Sequence, residues 1–391
     1  MVSWKNWSGR RTAKLDSLHF IRSEEDAVAV AGGAKQLAYS IRVAGSGHSH
    51  SKLVPHDSMI VDASGLAGVI SVDAEKKQAW VWSGSKIYSL GRPLHDAGLA
   101  LKNMGDIDRQ AIAGACATGT HGTGKDLRNL SSAVIGARIA TASGELLDCS
   151  ATQNPELWQI ARLNLGALGI VTRLRLQLRE SYKLIEAGYD DSYDNLAPQI
   201  DELVQQHDRF EFFWHPQTDQ ATVKVINETD ADPEYPLAEE GGRQAWSYEV
   251  LPSHRPHFHT EMEYSIPAEK GTACFAEIRD LLHNDFPDVM WPVEYRAIAE
   301  DDVWLSMAYG RPTVSISVHQ DIRHDETDYY NACEKIFAAY DGRPHWGKVN
   351  YLDGQQMERV HPRWKEWWAV RDQYDPDGIF LNEYLSGLRP A

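Results

Sequence analysis

The sequence predicts an α+β protein of two domains, and three observations carry that reading. At 391 residues the chain is long for a single core, since domains tend to split beyond about 250–300 residues. Up to about residue 179, short apolar runs that read as strands alternate with helical stretches and are interrupted by two glycine clusters. Beyond residue 180 the strands RFEFFWHP, ATVKVIN, MEYSI, VEYRAI and TVSISVH follow one another, with helices such as ACFAEIRDLLHNDF between them. That is the pattern of an antiparallel sheet with helices packed on it, and it places the domain boundary near residue 179.

The elements follow in order. Ser23 before Glu24, Glu25 and Asp26 reads as an N-cap followed by an acidic first turn, and the Ala/Val/Leu pattern from Ala27 to Tyr39 continues the helix. IRVAG is a buried strand running into Gly45-Ser46-Gly47. SMIVDAS, after Pro55, is the next strand, QAWVWSGS alternates, and IYSLGRPLHDAGLAL is helical to about Gly98. The second glycine cluster, IAGACATGTHGTGKD, spans 112–126. AVIGARIATASGELLDCS then forms a hairpin turning at Ala142-Ser143-Gly144-Glu145. LWQIARLNLGALG is a short helix and loop, and IVTRLRLQL a period-two strand.

Composition narrows the function. A net charge of −17 argues against nucleic acid, whose affinity comes from Lys and Arg on phosphates, and against anionic membrane surfaces. No apolar window is long enough to span a bilayer, and MVSWKNWSGRRTAK lacks the apolar core of a signal peptide. Cys116, Cys149, Cys274 and Cys333 lie far apart, which suits a reducing cytoplasm better than a disulfide framework. Thirteen Trp and sixteen Tyr serve either as core fillers or as the walls of a cleft for a sugar-like ligand.

RVAGSGHSHSKLV, residues 42–54, reads three ways. A Rossmann turn would need a third glycine and a following helix, but position 50 is His50 and the helix precedes the strand. His48-x-His50 could serve zinc, although no third ligand has obvious spacing. A plain glycine turn with solvated histidines is the simplest reading of the stretch alone. The second cluster changes the balance. Its small residues also let backbone N–H groups approach an anion, and two such loops suggest a long ligand with a central pyrophosphate.

VAGSGHSHS, GLALKNMGDIDRQAIAGACATGTHGTG, LGALGIVTRLRL, VEYRAIAEDDVWLSMAYGR, RPHWGK and YDPDGIFLNEYL occur in that order along the chain. Together they resemble the sugar-oxidase branch of the vanillyl-alcohol-oxidase flavoproteins, the aldono-1,4-lactone oxidases (gulono/arabinono-lactone type) and alditol oxidase. The resemblance implies an FAD-binding domain of two small α/β subdomains over 1–179 and a substrate (cap) domain over 180–345. A C-terminal segment, 346–391, would complete the site and pack back on the FAD domain. It implies FAD bound along Ala44, Gly45, Ser46, Gly47, His48 and Ser49, with His48 joined covalently to the flavin. His50 matches no functional position and reads as structural or solvated. The second wall would be Met104 and Gly105, then Ala113, Gly114, Cys116, Ala117, Thr118, Gly119, Thr120, His121 and Gly122, with Gly169, Ile170 and Val171 opposite. Cys116 is expected to be a small buried residue rather than a second covalent link.

Side chains alternate across a strand, so Glu294 and Arg296 share one face, with Val293, Tyr295 and Ala297 on the other. The same alternation puts Thr313, Ser315, Ser317 and His319 on a polar face. By resemblance Glu294, Arg296 and Lys348 are catalytic, Lys348 near the flavin N1–C2=O edge. Asp106, His319 and Ser317 would contact substrate. Gly105 would leave O2 a route to the flavin, and Asp106, a serine in alditol oxidase, would repel an aldonate. The expected activity is oxidation of a sugar-derived alcohol, an aldono-1,4-lactone before an alditol, with hydride passing to flavin N5 and O2 giving hydrogen peroxide. A metal-dependent hydrolase or a sugar-binding protein is the rival from another class.

Overall fold

In the computed structural model, which describes residues 2–390, a three-stranded parallel sheet delivers the first glycine turn. Its order is Ser17–Phe20, Met59–Asp62, Ile41–Ala44, and the turn starts where the last strand ends. The helix Glu24–Gly33 precedes that strand, its N-terminus capped by Ser23, whose hydroxyl accepts the Asp26 N–H at 3.1 Å. The apolar pattern predicts helix as far as Tyr39, but it stops at Gly33. Two successive glycines weaken it, and Gly32 lies so close to the Gly144 turn that a Cβ would meet the Gly144 Cα at 2.8 Å.

A five-stranded antiparallel sheet runs Leu146–Ser150, Val134–Ala140, Ile170–Gln177, Gln78–Trp82, Val69–Asp73. The hairpin turns at Gly144, which has φ +81°. Against this sheet pack the helices Ile112–Thr118 and Pro155–Ala161.

The larger sheet has eight antiparallel strands, in the order Gln244–Trp246, Lys183–Ser192, Gln220–Thr229, Arg209–His215, Val293–Ile298, Thr313–Asp321, His259–Pro267, Arg343–Pro344. One face is apolar. Tyr295 stacks on Phe212 at 5.1 Å, and Phe275, from the helix Gly271–Asp285, closes on both. The other face carries charges, and their order across it follows from register. Glu211 stands opposite both Lys224 and Arg296, Glu294 and Glu263 both stand opposite Ser317, and Glu261 stands opposite His319.

The chain then returns to the strand Ile41–Ala44. Trp346, Trp364 and Trp367 are fully buried, so these tryptophans serve as core, whereas Trp291 lines a cavity. Asp375 accepts the Arg371 guanidinium and the N–H groups of Ile379 (2.8 Å) and Phe380 (2.8 Å). That turn hands the Ile379 carbonyl to Ile41 N–H at 2.6 Å and the Phe380 carbonyl to Arg42 at 2.5 Å. The four cysteines are buried and unpaired, and no helix among the described residues is long and apolar enough to cross a membrane.

Candidate active site

Two adjoining cavities meet at Gln110, Thr120, His345 and Lys348. The narrower is a cleft between the first glycine turn and the helix Ile112–Thr118. Of the residues expected on the cofactor wall, Ala44 to Ser49, Ala113, Gly114, Ala117, Thr118, Thr120, Gly169, Val171 and Lys348 line it. Small side chains are required here: a Cβ on Gly45 would meet the Ala111 methyl at 2.9 Å, and Gly47 has φ +69°. Gly114 faces open space within 4 Å of its Cβ position.

Five expected residues lie behind the wall instead. Cys116 points into the core, where burial pushes its thiol up to about 12. Ile170 is wholly buried between strands. Gly119 ends the helix in the left-handed region, φ +79°, and packs against Met307 and Leu163. Gly122 and Met104 touch each other rather than the cleft, since a Cβ on Gly122 would meet the Met104 carbonyl oxygen at 2.2 Å. Further lining comes from residues outside the expected set, among them Arg42, Ser83, Asn164, Leu165, His345 and Gly347.

The cleft suits a phosphorylated ligand. The buried Arg42 guanidinium donates only to the backbone carbonyls of Leu53, Leu165, Gly166 and Phe380, and it pairs with no carboxylate among the described residues. Lys86 donates to Ser46 Oγ at 2.6 Å, beside the same turn. Two cations without close anions therefore flank a glycine turn, as an incoming pyrophosphate requires. The residues present fit FAD: the glycine turn with Arg42 and Lys86 would hold its phosphates, and bound FAD would supply redox chemistry beside Lys348 and His345. His48 lines the cleft stacked on Trp7 at 5.5 Å. Burial, with Lys348 and Lys86 nearby, lowers it to about 4, so its imidazole is neutral at pH 7.

The second cavity, of about 750 Å³, opens over the charged face of the eight-stranded sheet. Arg296 is held from three sides, by Asp106 (3.0 Å), Glu211 (2.9 Å) and Glu294. Asp106 also accepts from Arg255 at 3.1 Å. Lys224 contacts Glu211 and approaches Asp106 at 3.9 Å. Although burial pushes Asp106 up, Arg296, Lys224 and Arg255 hold it well below the usual carboxylate range. Glu294 moves the other way. Burial raises it to about 8, against the pull of Arg296 and with Glu211 and Asp106 adding to the rise, so it is largely protonated at neutral pH.

At the cleft end, Lys348 contacts Glu261, and His121 Nε2 lies 2.6 Å from Glu263 Oε1. His121 Nδ1 faces the Gly122 carbonyl at 2.9 Å. Against the cost of burial, Lys348 keeps Glu261 ionised, and the hydrogen bond from His121 does the same for Glu263. His345 Nδ1 accepts the Gly347 N–H at 3.0 Å, so its neutral ring carries the proton on Nε2.

The polar floor expected from Thr313, Ser315, Ser317 and His319 is reached by His319 alone. Ser317 is fully buried with its hydroxyl unpartnered, because Glu263 and Glu294, directly across from it, are longer and overhang it. Gly105 and His121 line this cavity rather than the cleft. His50 is not solvated. It is buried with its Nε2 3.9 Å from Glu261 Oε2. Glu211, Lys224, Arg255, His259, Glu261, Glu263 and His345 were missed by motif reading. For Glu211, Lys224, Glu261 and Glu263 the signal was a charged residue among apolar ones in a strand, as in RFEFFW, TVKVI and TEMEYSI, whereas Arg255 and His345 lie outside the strands.

Comparison with known proteins agrees with this geometry. A family model described as FAD binding domain matches residues 16–150, and one described as D-arabinono-1,4-lactone oxidase matches 237–388. L-gulono-1,4-lactone dehydrogenase of Mycobacterium tuberculosis is 33% identical over 97% of each chain. L-gulonolactone oxidase of Bos taurus is 27% identical over 98% of this chain and 97% of its own. Alditol oxidase of a Streptomyces species is 25% identical over 98% of both. Among solved structures, a solvent-stable cholesterol oxidase superposes with a TM-score of 0.87 at 18% identity, covering 99% of this chain and 97% of its own. The chain belongs to the vanillyl-alcohol-oxidase-type FAD-dependent oxidoreductases, in the branch of the sugar-1,4-lactone oxidases and dehydrogenases and alditol oxidase.

Proposed function

We propose that this chain oxidises a hydroxyl of an aldono-1,4-lactone, with FAD tethered through His48. The observation that carries the reading is the junction itself: a glycine-lined cleft with unpaired cations opens, past Lys348, onto a cavity whose floor pairs Glu294 with a fixed Arg296. Bound FAD would supply a hydride acceptor at N5 and, through it, electrons for O2, yielding hydrogen peroxide. The neutral His48 imidazole has the lone pair that attachment to a carbon requires.

Arg296 donates to the reacting hydroxyl from a position that three carboxylates prevent from shifting, and so favours the alkoxide. Glu294, on the same sheet face, orients that hydroxyl and in its ionised form takes its proton. Lys348 places a cation at the ring end of the cleft, where negative charge develops on hydride arrival. Asp106 and His319 bind the remaining hydroxyls, and the ionised Asp106, Glu261 and Glu263 disfavour an anionic aldonate over a neutral lactone. Gly105 lines the cavity, and a Cβ there would press on the His121 carbonyl oxygen at 2.9 Å; we read the bare glycine as the side from which O2 approaches. An open-chain alditol is the second reading, favoured by the similarity to alditol oxidase.

The test is direct. The purified protein is expected to be yellow, to keep its flavin after acid precipitation, and to release peroxide faster with aldono-1,4-lactones than with alditols. His48→Ala should leave the flavin extractable. A colourless protein, or peroxide from neither substrate class, would refute the reading. Flavin still fixed to His48→Ala would refute the tether alone.

A further inference from the structure

Around the cavity, four groupings of histidines and carboxylates bring three donor atoms within 4.8 Å of one another, and they differ in what already satisfies them. In His121/Glu263/His345, His121 is hydrogen-bonded to Glu263, and the Nε2 of His345 carries the proton. In Asp106/Glu211/Glu294 the carboxylates are neutralised by Arg296, Lys224 and Arg255. In Glu261/Glu294/His319 the Glu294 carboxyl is held by Arg296. His50/His259/Glu261 is different.

Carbonyl oxygens only accept. His259 Nδ1 therefore donates to the His257 carbonyl at 3.0 Å, which leaves Nε2 as the nitrogen that can ligate a metal. That Nε2 lies 3.6 Å from Glu261 Oε2, and His50 Nε2 lies 3.9 Å from the same oxygen. His319 repeats the pattern on the other oxygen, with Nδ1 donating to the Pro292 carbonyl at 2.8 Å and Nε2 3.7 Å from Glu261 Oε1. His50 is buried, with Nδ1 unpartnered. These separations are too long for hydrogen bonds but near the donor–donor edge of about 3.4 Å in a tetrahedral zinc site with bonds of about 2.1 Å. An imidazole whose Nδ1–H is fixed on a backbone carbonyl and whose Nε2 faces a carboxylate has the tautomer and orientation of a metal ligand. Trp7 packs edge-on against both His50 and His259 and holds the rings in place.

We propose that His50 Nε2, His259 Nε2 and Glu261 form a site for a divalent transition metal of the zinc class, with His319 across the second carboxylate oxygen. The ion displaces Lys348 from Glu261, and since His259 and Glu261 line the cavity, it closes one wall of the substrate space. His48, the other half of the HSH motif, takes no part.

The flavin-loaded full chain titrated with zinc in a calorimeter should bind one ion. His259→Ala and Glu261→Gln should each weaken binding at least ~100-fold. Exposed His324→Ala should bind as the wild type does. Lys348→Met, which removes the competing cation, should tighten binding ~10-fold. X-ray absorption on the zinc-loaded wild type should give imidazole and carboxylate donors near 2.0–2.1 Å and no sulfur, a readout that needs no variant to fold. Absence of saturable binding below ~1 mM, unchanged affinity in Glu261→Gln or Lys348→Met, or an oxygen-only shell would overturn the site. None of these readouts depends on which sugar is oxidised.

Discussion

Glu294 and Asp106 have the same side-chain chemistry on one cavity wall, yet they are driven in opposite directions. Asp106 faces three cations and stays ionised, whereas Glu294 has one cation, Arg296, shared among three acids, and burial raises it to about 8. Its charged form is disfavoured, so its carboxylate appears only as pH rises through about 8. If that carboxylate takes the proton, the rate of flavin reduction climbs with pH towards 8 and levels above it. Stopped-flow reduction should follow that limb in the wild type and lose it in Glu294→Gln; an unchanged limb in the variant would exclude Glu294 as its source. Arg296→Met should slow reduction by about 10²-fold, since it removes a preorganised donor to developing negative charge and leaves Glu294 without its cation. Gly105→Ala should act on the other half-reaction. Its Cβ must push the His121 carbonyl aside by a few tenths of an ångström, so reoxidation by O2 should fall by about tenfold or more while reduction by lactone changes little. Equal slowing of both half-reactions would count against a passage at that point.

At the level of elements, strand alternation puts Glu294 and Arg296 on the right face but does not identify their neighbours. Register supplies those, and register is a property of pairs of strands that no single strand encodes. This is why Ser317, correctly placed on the polar face, fails to reach the cavity, and why Glu261 and Glu263 went unnoticed two residues apart in HTEMEYSIP. The glycine turn and the helix Ile112–Thr118 were legible because close backbone approach demands small residues locally. Cys116 is buried as expected but, like Ile170, does not reach the cleft, because which side of a small-residue helix or strand faces it depends on what packs behind. The YDPDGIF segment is another long-range device. The wholly buried Asp375 holds Arg371 and two backbone N–H groups, and the turn it fixes reaches Ile41 and Arg42 at the root of the cofactor cleft. Asp375→Ala leaves the buried Arg371 guanidinium with Asp372 (2.6 Å) as its remaining carboxylate partner and strands the Ile379 and Phe380 N–H groups. It should cost about 3–5 kcal/mol in urea unfolding, and a loss under about 1 kcal/mol would show that the turn is held by other contacts.

For the molecule as a whole, the cofactor cleft is built from segments distant in sequence. Segments 42–49, 110–120, 164–171 and 345–348 all contribute to its lining. Each contributes side chains or backbone whose positions depend on what fills the space between them, and Arg42 and Lys86 present charges that only a bound anion answers at close range. Filling the cleft must therefore stabilise the whole fold, by an amount set by ligand occupancy: about 2.7 kcal/mol at a free ligand concentration of 100 Kd. A covalent tether removes the concentration dependence, because the ligand cannot leave. The wild-type Tm should be insensitive to added FAD, whereas His48→Ala should melt several degrees lower without free FAD and recover steadily as FAD is added, without regaining covalent flavin. A differential scanning series over FAD concentration reads both lines at once. If His48→Ala melts at one temperature across the series, the cleft does not couple cofactor to fold through His48; if the wild type also climbs with FAD, its flavin is held by reversible binding.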